Sequence, residues 1–200
     1  MGTGTAGTRT FVAGASGVIG VRLVPLLVEA GHVVAGMTRT PAKTGMLTAL
    51  GARPVVCDVY DREALVAAVA DFAPDILIHQ LTDLPDDPAL VAEHAEANIR
   101  IRDEGTRNLL AAAREAGVGR FLAQSLAWAP SPRSAAGSAR LEELVIAAGG
   151  VVLRYGQFYG PGTFGSHDPE LPHVEVSEAA RQTVAALDAD AGSVVTVVDP

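Results

Sequence analysis

An apolar run, Thr10-Phe11-Val12-Ala13, stops at Gly14; Gly17 and Gly20 follow at three-residue spacing, and an apolar helical pattern then begins. Few short segments constrain a fold so tightly. Gly14 permits a sharp turn off a strand. Gly17 lets the backbone approach a bound group where a Cβ would clash. Gly20 lets the helix lie close to the sheet. The helix start offers free N–H groups and a positive dipole end, so the segment predicts a dinucleotide pyrophosphate site. It stands near the N-terminus and opens a repeating strand–helix pattern, the context that gives such a motif meaning.

The expected strands are Arg9–Ala13, His32–Met37, Pro54–Cys57, Asp75–Gln80, Arg120–Gln124, Val151–Arg154 and Ser193–Val198. Between them the pattern predicts helices over Val18–Ala30, Ala42–Leu50, Asp61–Phe72, Ala89–Ala116, Ser138–Ala148 and Ser177–Leu187. The strands are mostly unbroken apolar runs, which marks a parallel sheet covered on both faces. Alternation with helices makes this an α/β chain with a Rossmann-type, doubly wound sheet. No repeat or linker divides the chain. Residues 1–8 read as a frayed tail and 9–200 as one domain, with a short C-terminal cap over about 156–200.

With 200 residues and 48% apolar content, the chain has ample material for a core. A formal charge of −8 argues against nucleic acid or an anionic membrane as partner. One cysteine, Cys57, excludes an intramolecular disulfide and fits a reducing cytoplasm; its simplest role is that of a small buried strand residue. Neither a signal peptide nor a membrane-spanning run is evident. The near absence of lysine beside plentiful arginine, alanine and glycine suggests a GC-rich bacterial genome.

Four segments carry a family resemblance: Gly14-Ala15-Ser16-Gly17-Val18-Ile19-Gly20, Gly105-Thr106-Arg107-Asn108-Leu109-Leu110, Ala116-Gly117-Val118-Gly119-Arg120-Phe121-Leu122, and Leu153-Arg154-Tyr155-Gly156-Gln157-Phe158-Tyr159-Gly160-Pro161-Gly162. In this order they resemble the NAD(P)-dependent epimerase/dehydratase group of extended and atypical short-chain dehydrogenases/reductases. The resemblance implies that Gly14, Ser16, Gly17, Val18, Ile19 and Gly20 form the cofactor loop. It places Asp58, with Val59 beside it, at the adenine, although Asp58 equally suits a turn or helix cap. It places Gln80, Leu81 and Thr82 along the nicotinamide ribose and Tyr155 at the cofactor. Strand two ends in Met37-Thr38-Arg39 with no acidic residue to hold a ribose hydroxyl. Arg39, helped by Lys43, therefore predicts NADP(H) rather than NAD(H), with a solvated surface arginine as the alternative.

The reactive end departs from the family. Its working pair is a tyrosine and, four residues later on one helix, a lysine that lowers the tyrosine pKa and holds the ribose. Lys43 is the only lysine in the sequence and belongs to the adenosine end. Counting back from Glu142 in Leu141-Glu142-Glu143-Leu144-Val145 puts Ser138 at the lysine position and Ser134 at the tyrosine position. Neither serine replaces a phenol–ammonium pair. Ser125, at the end of strand five, is the remaining candidate catalytic residue, although the alignment can also put Leu126 at the family's serine. About forty residues follow Tyr159, and the insert that covers the substrate in the family is expected to be missing, with Glu175 where the segment's histidine would be.

Other residues admit chemistry. His167, Asp168 or Glu170 could supply a general base from the loop Ser166–His173, which otherwise reads as polar surface. His94 and Glu96 read as solvent-facing helix residues, and Asp83, Asp86 and Asp87 as loop and helix-start acids. Trp128 lines either a substrate pocket or the core. By analogy, the helices near Ala89–Ala116 and Ser138–Ala148 imply a homodimer. The sequence reading thus leads to an NADP(H)-binding oxidoreductase or epimerase acting on a small metabolite. A non-redox dehydratase, isomerase or cyclase and an inactive binding subunit are the alternatives.

Overall fold

The computed structural model describes residues 7–85, 87–128, 131–165 and 172–199. Nine strands and seven α-helices lie in these segments: β1 (Arg9–Ala13), α1 (Gly20–Glu29), β2 (Val33–Thr38), α2 (Thr44–Ala49), β3 (Arg53–Val56), α3 (Arg62–Phe72), β4 (Ile76–His79), α4 (Ala95–Arg100), α5 (Thr106–Glu115), β5 (Arg120–Leu126), α6 (Pro132–Ala147), β6 (Val151–Tyr155), β7 (Gln157–Tyr159), β8 (His173–Glu175), α7 (Val176–Ala185) and β9 (Val194–Val197). Seven strands form one parallel sheet in the order β3-β2-β1-β4-β5-β6-β9. The order reverses between β1 and β4, where α/β sheets of this kind open a crevice at the strands' carboxyl ends.

Both faces of the sheet are covered, which is why the strands read as apolar runs. Val12, Ile78, Leu122 and Leu153 pack on one face with Leu23, Val24 and Leu27 of α1 and with Ala179 and Ala180 of α7. Phe11, Leu77, Ala123 and Val152 pack on the other with Leu65 and Val69 of α3, Leu109 and Ala112 of α5, and Leu141 and Val145 of α6. Leu27 is fully buried, so Leu27→Ala would cost about 2–5 kcal/mol. Helix starts are tied by local chemistry. Asp61 accepts from the Ala64 N–H at 3.0 Å, and Glu175 accepts from Ser177 and Glu178 at 2.8 and 3.0 Å.

Two helices differ from expectation. The helix expected from Ser138 begins at Pro132, because Ser131 caps it by accepting from the Ser134 N–H at 3.1 Å and Pro132 suits its first turn. The long helix expected over Ala89–Ala116 is broken. A 3₁₀ turn at Pro88–Leu90, with Asp87 accepting from the Ala89 N–H at 2.9 Å, precedes α4, and a π-helical turn at Ile101–Gly105 joins α4 to α5. The small parallel pair β7–β8 was not expected. No helix among the described residues is long and apolar enough to cross a membrane.

Candidate functional site

The carboxyl ends of the strands meet at one cleft of about 1170 Å³, above the range of about 300–1000 Å³ usual for a small-molecule pocket. Each wall is the residue or two that follow a strand. Gly14, Ser16, Gly17, Val18, Ile19 and Gly20 come after β1, and Arg39 and Lys43 after β2. Asp58 and Val59 follow β3, and Gln80, Leu81 and Thr82 follow β4. All these expected cofactor residues are therefore brought together.

The glycines divide by what demands them. A Cβ on Gly14, whose φ is +91°, would sit 2.7 Å from the Gln80 carbonyl oxygen, and one on Gly20 would sit 2.4 Å from the Gly14 carbonyl oxygen. The chain itself forbids side chains there. A Cβ on Gly17 would meet only the Gly14 carbonyl oxygen, at an ordinary 3.4 Å, yet Gly17 is exposed on the cleft. Folding leaves that space open, and a group lying against the loop would use it. The N–H groups of Ser16, Val18 and Ile19 take no partner among the described residues, while those of Ala15 and Gly17 bond to Met37 and Gly14. An anion at the start of α1 would find these donors unengaged. The loop residues thus fit a dinucleotide pyrophosphate.

At the adenosine end, Arg39 is well exposed and donates to Asp83 Oδ1 at 2.9 Å. Asp83, read as a simple loop acid, is thus a partner of the arginine. So exposed a pair is weak and leaves most of the guanidinium fork available. Asp58 takes the turn role, its Oδ1 accepting from the Tyr60 N–H at 2.9 Å, and it also borders the cleft. Cys57 is a buried free thiol that burial pushes up in pKa.

One expected site residue is corrected, and another is tied into the fold through its hydroxyl. Ser125 does not border the cleft: strand alternation sends Gln124 and Leu126 there and turns Ser125 toward α6. It is wholly buried and donates to Glu142 Oε1 at 2.6 Å. Burial opposes ionisation of Glu142, but hydrogen bonds from Arg154, at 2.9 and 2.6 Å, and from Ser125 hold it below the usual carboxylate range. Ser125 is a structural tie. Tyr155 borders the cleft, yet its ring is fully buried and its hydroxyl bonds to Gln80 Nε2 at 2.9 Å and Thr183 Oγ1 at 2.6 Å. Burial raises the phenol to about 12 despite these bonds.

The reactive end lies where Gln124 and Leu126 at the end of β5, and Trp128 just after it, line the cleft with Asn98, Ile101, Arg102 and Ser134. Trp128 therefore takes the pocket-lining one of its two expected roles. Arg102 was missed by sequence reasoning. It lies in the π-helical turn, is 4% exposed, and donates from Nη1 to Ser138 Oγ at 2.8 Å. Ser138 is the residue at the family's lysine position. Burial lowers the guanidinium to about 10, with Glu142 nearby acting in the opposite sense. Below it, His79 is fully buried and held near 3, first by burial and then by Arg102. Its Nδ1 accepts from the Leu81 N–H at 3.1 Å. The tautomer this assigns lets Nε2 donate to Thr106 Oγ1 at 3.1 Å, and Thr106 donates to the Arg102 carbonyl at 2.7 Å. His167, Asp168 and Glu170 lie outside the described residues, as do Asp86 and residues 1–6. Among the described residues no group of acids, histidines and cysteine is arranged to hold a metal.

Comparison with known proteins agrees with this geometry. A family model described as NAD(P)H-binding matches residues 14–147. The chain is 38% identical to a 3-diazoavenalumate denitrifying reductase of a Streptomyces species, over 78% of this chain and 58% of that protein. It is 36% identical to a 4-hydroxy-2-methyl-3-oxo-4-farnesyl-3,4-dihydroquinoline-1-oxide ketoreductase of Stigmatella aurantiaca, over 57% of this chain and 32% of that protein. The chain thus spans between a third and three fifths of the length of these relatives. Its fold is that of the UDP-glucose 4-epimerase of Thermus thermophilus, with a TM-score of 0.79 at 22% identity over 96% of this chain and 78% of that one. With its glycine turn, its reversed sheet and its match over residues 14–147, this chain belongs to the NAD(P)H-binding family.

Proposed function

We propose that this chain is an NADP(H)-dependent reductase that directs hydride to a small electrophile whose reduction needs no proton from the enzyme, an arenediazonium carboxylate being the best-supported substrate class. The observation that carries the reading is the contrast along the cleft. The loop and its free amides suit a dinucleotide, and Arg39 and Lys43 suit a 2′-phosphate. At the other end stand Leu126, Trp128 and Ser134, with no phenol–ammonium pair. The bound cofactor would supply a hydride from its nicotinamide ring.

Reduction of a carbonyl leaves an alkoxide that must take a proton. At the family's acid–base positions stand two weakly acidic serine hydroxyls, Ser134, which borders the cleft, and Ser138, which is bonded to Arg102. A diazonium group makes no such demand. Hydride converts R–N₂⁺ to R–H, the carbon–nitrogen bond breaks and N₂ leaves, so NADPH becomes NADP⁺ and no proton enters. The printed name of the Streptomyces relative describes a reductase of a diazo acid, which supports this class over a ketone. Ser16 and Gly17 to Gly20 would hold the pyrophosphate, Gln80 to Thr82 would border the ribose, and Trp128 with Phe164 at the mouth would hold an unsaturated substrate by apolar contact. A reducing cytoplasm, which keeps both NADPH and Cys57 reduced, is the setting this reading takes. A homodimer through the α5 and α6 side is part of the proposal and is checked by light scattering.

The test is NADPH oxidation, with N₂ release followed in parallel, using 4-carboxybenzenediazonium and, separately, 4-carboxybenzaldehyde. Enzyme-dependent oxidation with one N₂ per NADPH is expected from the diazonium salt alone. Reduction of the aldehyde, with the diazonium salt consumed only at its uncatalysed rate, would overturn the reading.

A further inference from the structure

We propose that the Arg102 guanidinium is an anion site at the reactive end of the cleft, built to take the carboxylate of the substrate. This deepens the reductase reading and rests on it. Arg39, Arg53, Arg100, Arg107, Arg140 and Arg154 each have a carboxylate oxygen within 3.2 Å. Most of these are surface residues that water would solvate anyway. Arg102 is only 4% exposed, and among the described residues its side chain makes one hydrogen bond, to the neutral Ser138. The nearest acid to influence it, Glu142, is held by both arms of Arg154 and by Ser125.

A buried cation without an anion at hydrogen-bonding distance is costly. Yet Arg102 borders the cleft, where a ligand would supply what the protein does not. The means of placing it is visible: the π-helical turn at Ile101–Gly105 breaks the α4–α5 run and rotates Arg102 inward onto α6. Position decides which anion is meant. A pyrophosphate has its own donors at the loop after β1, and a 2′-phosphate would have Arg39 and Lys43 after β2. Arg102 stands with Asn98, Ile101 and Ser134, beyond β4, where the substrate would lie. One guanidinium with Glu142 nearby balances a monoanion better than a dianion, which favours a carboxylate over a phosphate.

The test uses the full chain saturated with NADP⁺, titrated with cinnamate and with the uncharged cinnamamide. Wild type should bind cinnamate roughly tenfold or more tightly than cinnamamide. Arg102→Met should erase that preference and leave cinnamamide and NADP⁺ affinities within about threefold of wild type. Arg102→Lys should keep part of the preference. Ser138→Ala, which keeps the charge and drops its anchor, should reduce it; this variant and the wild-type ratio decide the matter if Arg102→Met does not fold. Equal binding of the two probes by wild type, or no detectable cinnamate binding in the millimolar range, would overturn the proposal. So would an Arg102→Met variant that weakens NADP⁺ as much as cinnamate, because the guanidinium would then serve the cofactor. Failure of wild type to bind NADP⁺ at all strikes the reductase reading instead.

Discussion

The two ends of the cleft were made by different means. At the loop after β1, geometry comes from a local segment: Gly14, Gly17 and Gly20 sit within seven residues, the first and last required by the packed backbone and the middle one facing open space. At the reactive end, Arg102 and Ser138 meet across 36 positions of chain, through a π-helical turn and a helix that starts six residues earlier than its apolar pattern suggests. In the proposed reading, holding a dinucleotide and managing protons are separable, because backbone amides would do the first and particular side chains the second.

The sharpest way to break the comparison is inside the loop. Gly20→Ala should destabilise the fold by about 3 kcal/mol or more, because its Cβ would sit 2.4 Å from a carbonyl oxygen. Gly17→Ala should leave the melting temperature nearly unchanged and weaken NADPH by about 3 kcal/mol, roughly a hundredfold. Calorimetry and thermal melts on both variants decide it. Equal loss of stability would mean that all three glycines serve folding.

A second test concerns the buried floor of the reactive end. The folded-state pKa of His79 lies near 3, below its unfolded value of about 6.5, so as pH falls the unfolded chain takes up the proton first. Stability should therefore fall between about pH 6.5 and 3, by up to about 1.4 kcal/mol per pH unit. His79→Asn keeps an acceptor for the Leu81 N–H and should flatten that slope. Urea midpoints of wild type and variant across this range measure it, and parallel curves would remove His79 as the cause.

The adenosine end offers a smaller effect. Arg39→Ala should cost NADPH about 1.5–3 kcal/mol and leave NADH nearly unaffected, since only the former carries the 2′-phosphate. Equal loss for both cofactors in paired titrations would reduce Arg39 to an adenine-stacking residue. The smallest effect belongs to Ser125. Ser125→Ala should cost about 1 kcal/mol of stability through the lost bond to Glu142, with turnover of the diazonium probe unchanged. A large loss of turnover at unchanged stability would return Ser125 to the chemistry.

Much of this was legible before any coordinates. The parallel sheet shows in the unbroken apolar strands, and the cofactor loop in its glycines, since both are set by residues close in sequence. The errors have a common physical source. Ser125 looked catalytic because it ends a strand, but which face a residue takes depends on strand register, and a shift of one position exchanges Ser125 for Leu126. The partners of the Tyr155 hydroxyl, Thr183, 28 residues later, and Gln80, are likewise set by contacts that no local motif contains. The start of α6 was readable in Ser131-Pro132, a cap and first-turn pair that carries no apolar periodicity.

By itself, then, the sequence determined the fold class, the loop for the pyrophosphate, the lack of an acidic residue after β2 and the lack of a tyrosine–lysine pair. These depend on local spacing or on which residue types exist at all. Tertiary structure alone decided that Ser125 turns away, that Asp83 meets Arg39, and that a buried guanidinium reaches Ser138 from 36 positions away. Those facts depend on contacts between distant segments, and burial, which the one-dimensional pattern does not contain, is what makes Arg102 costly unless an anion reaches it.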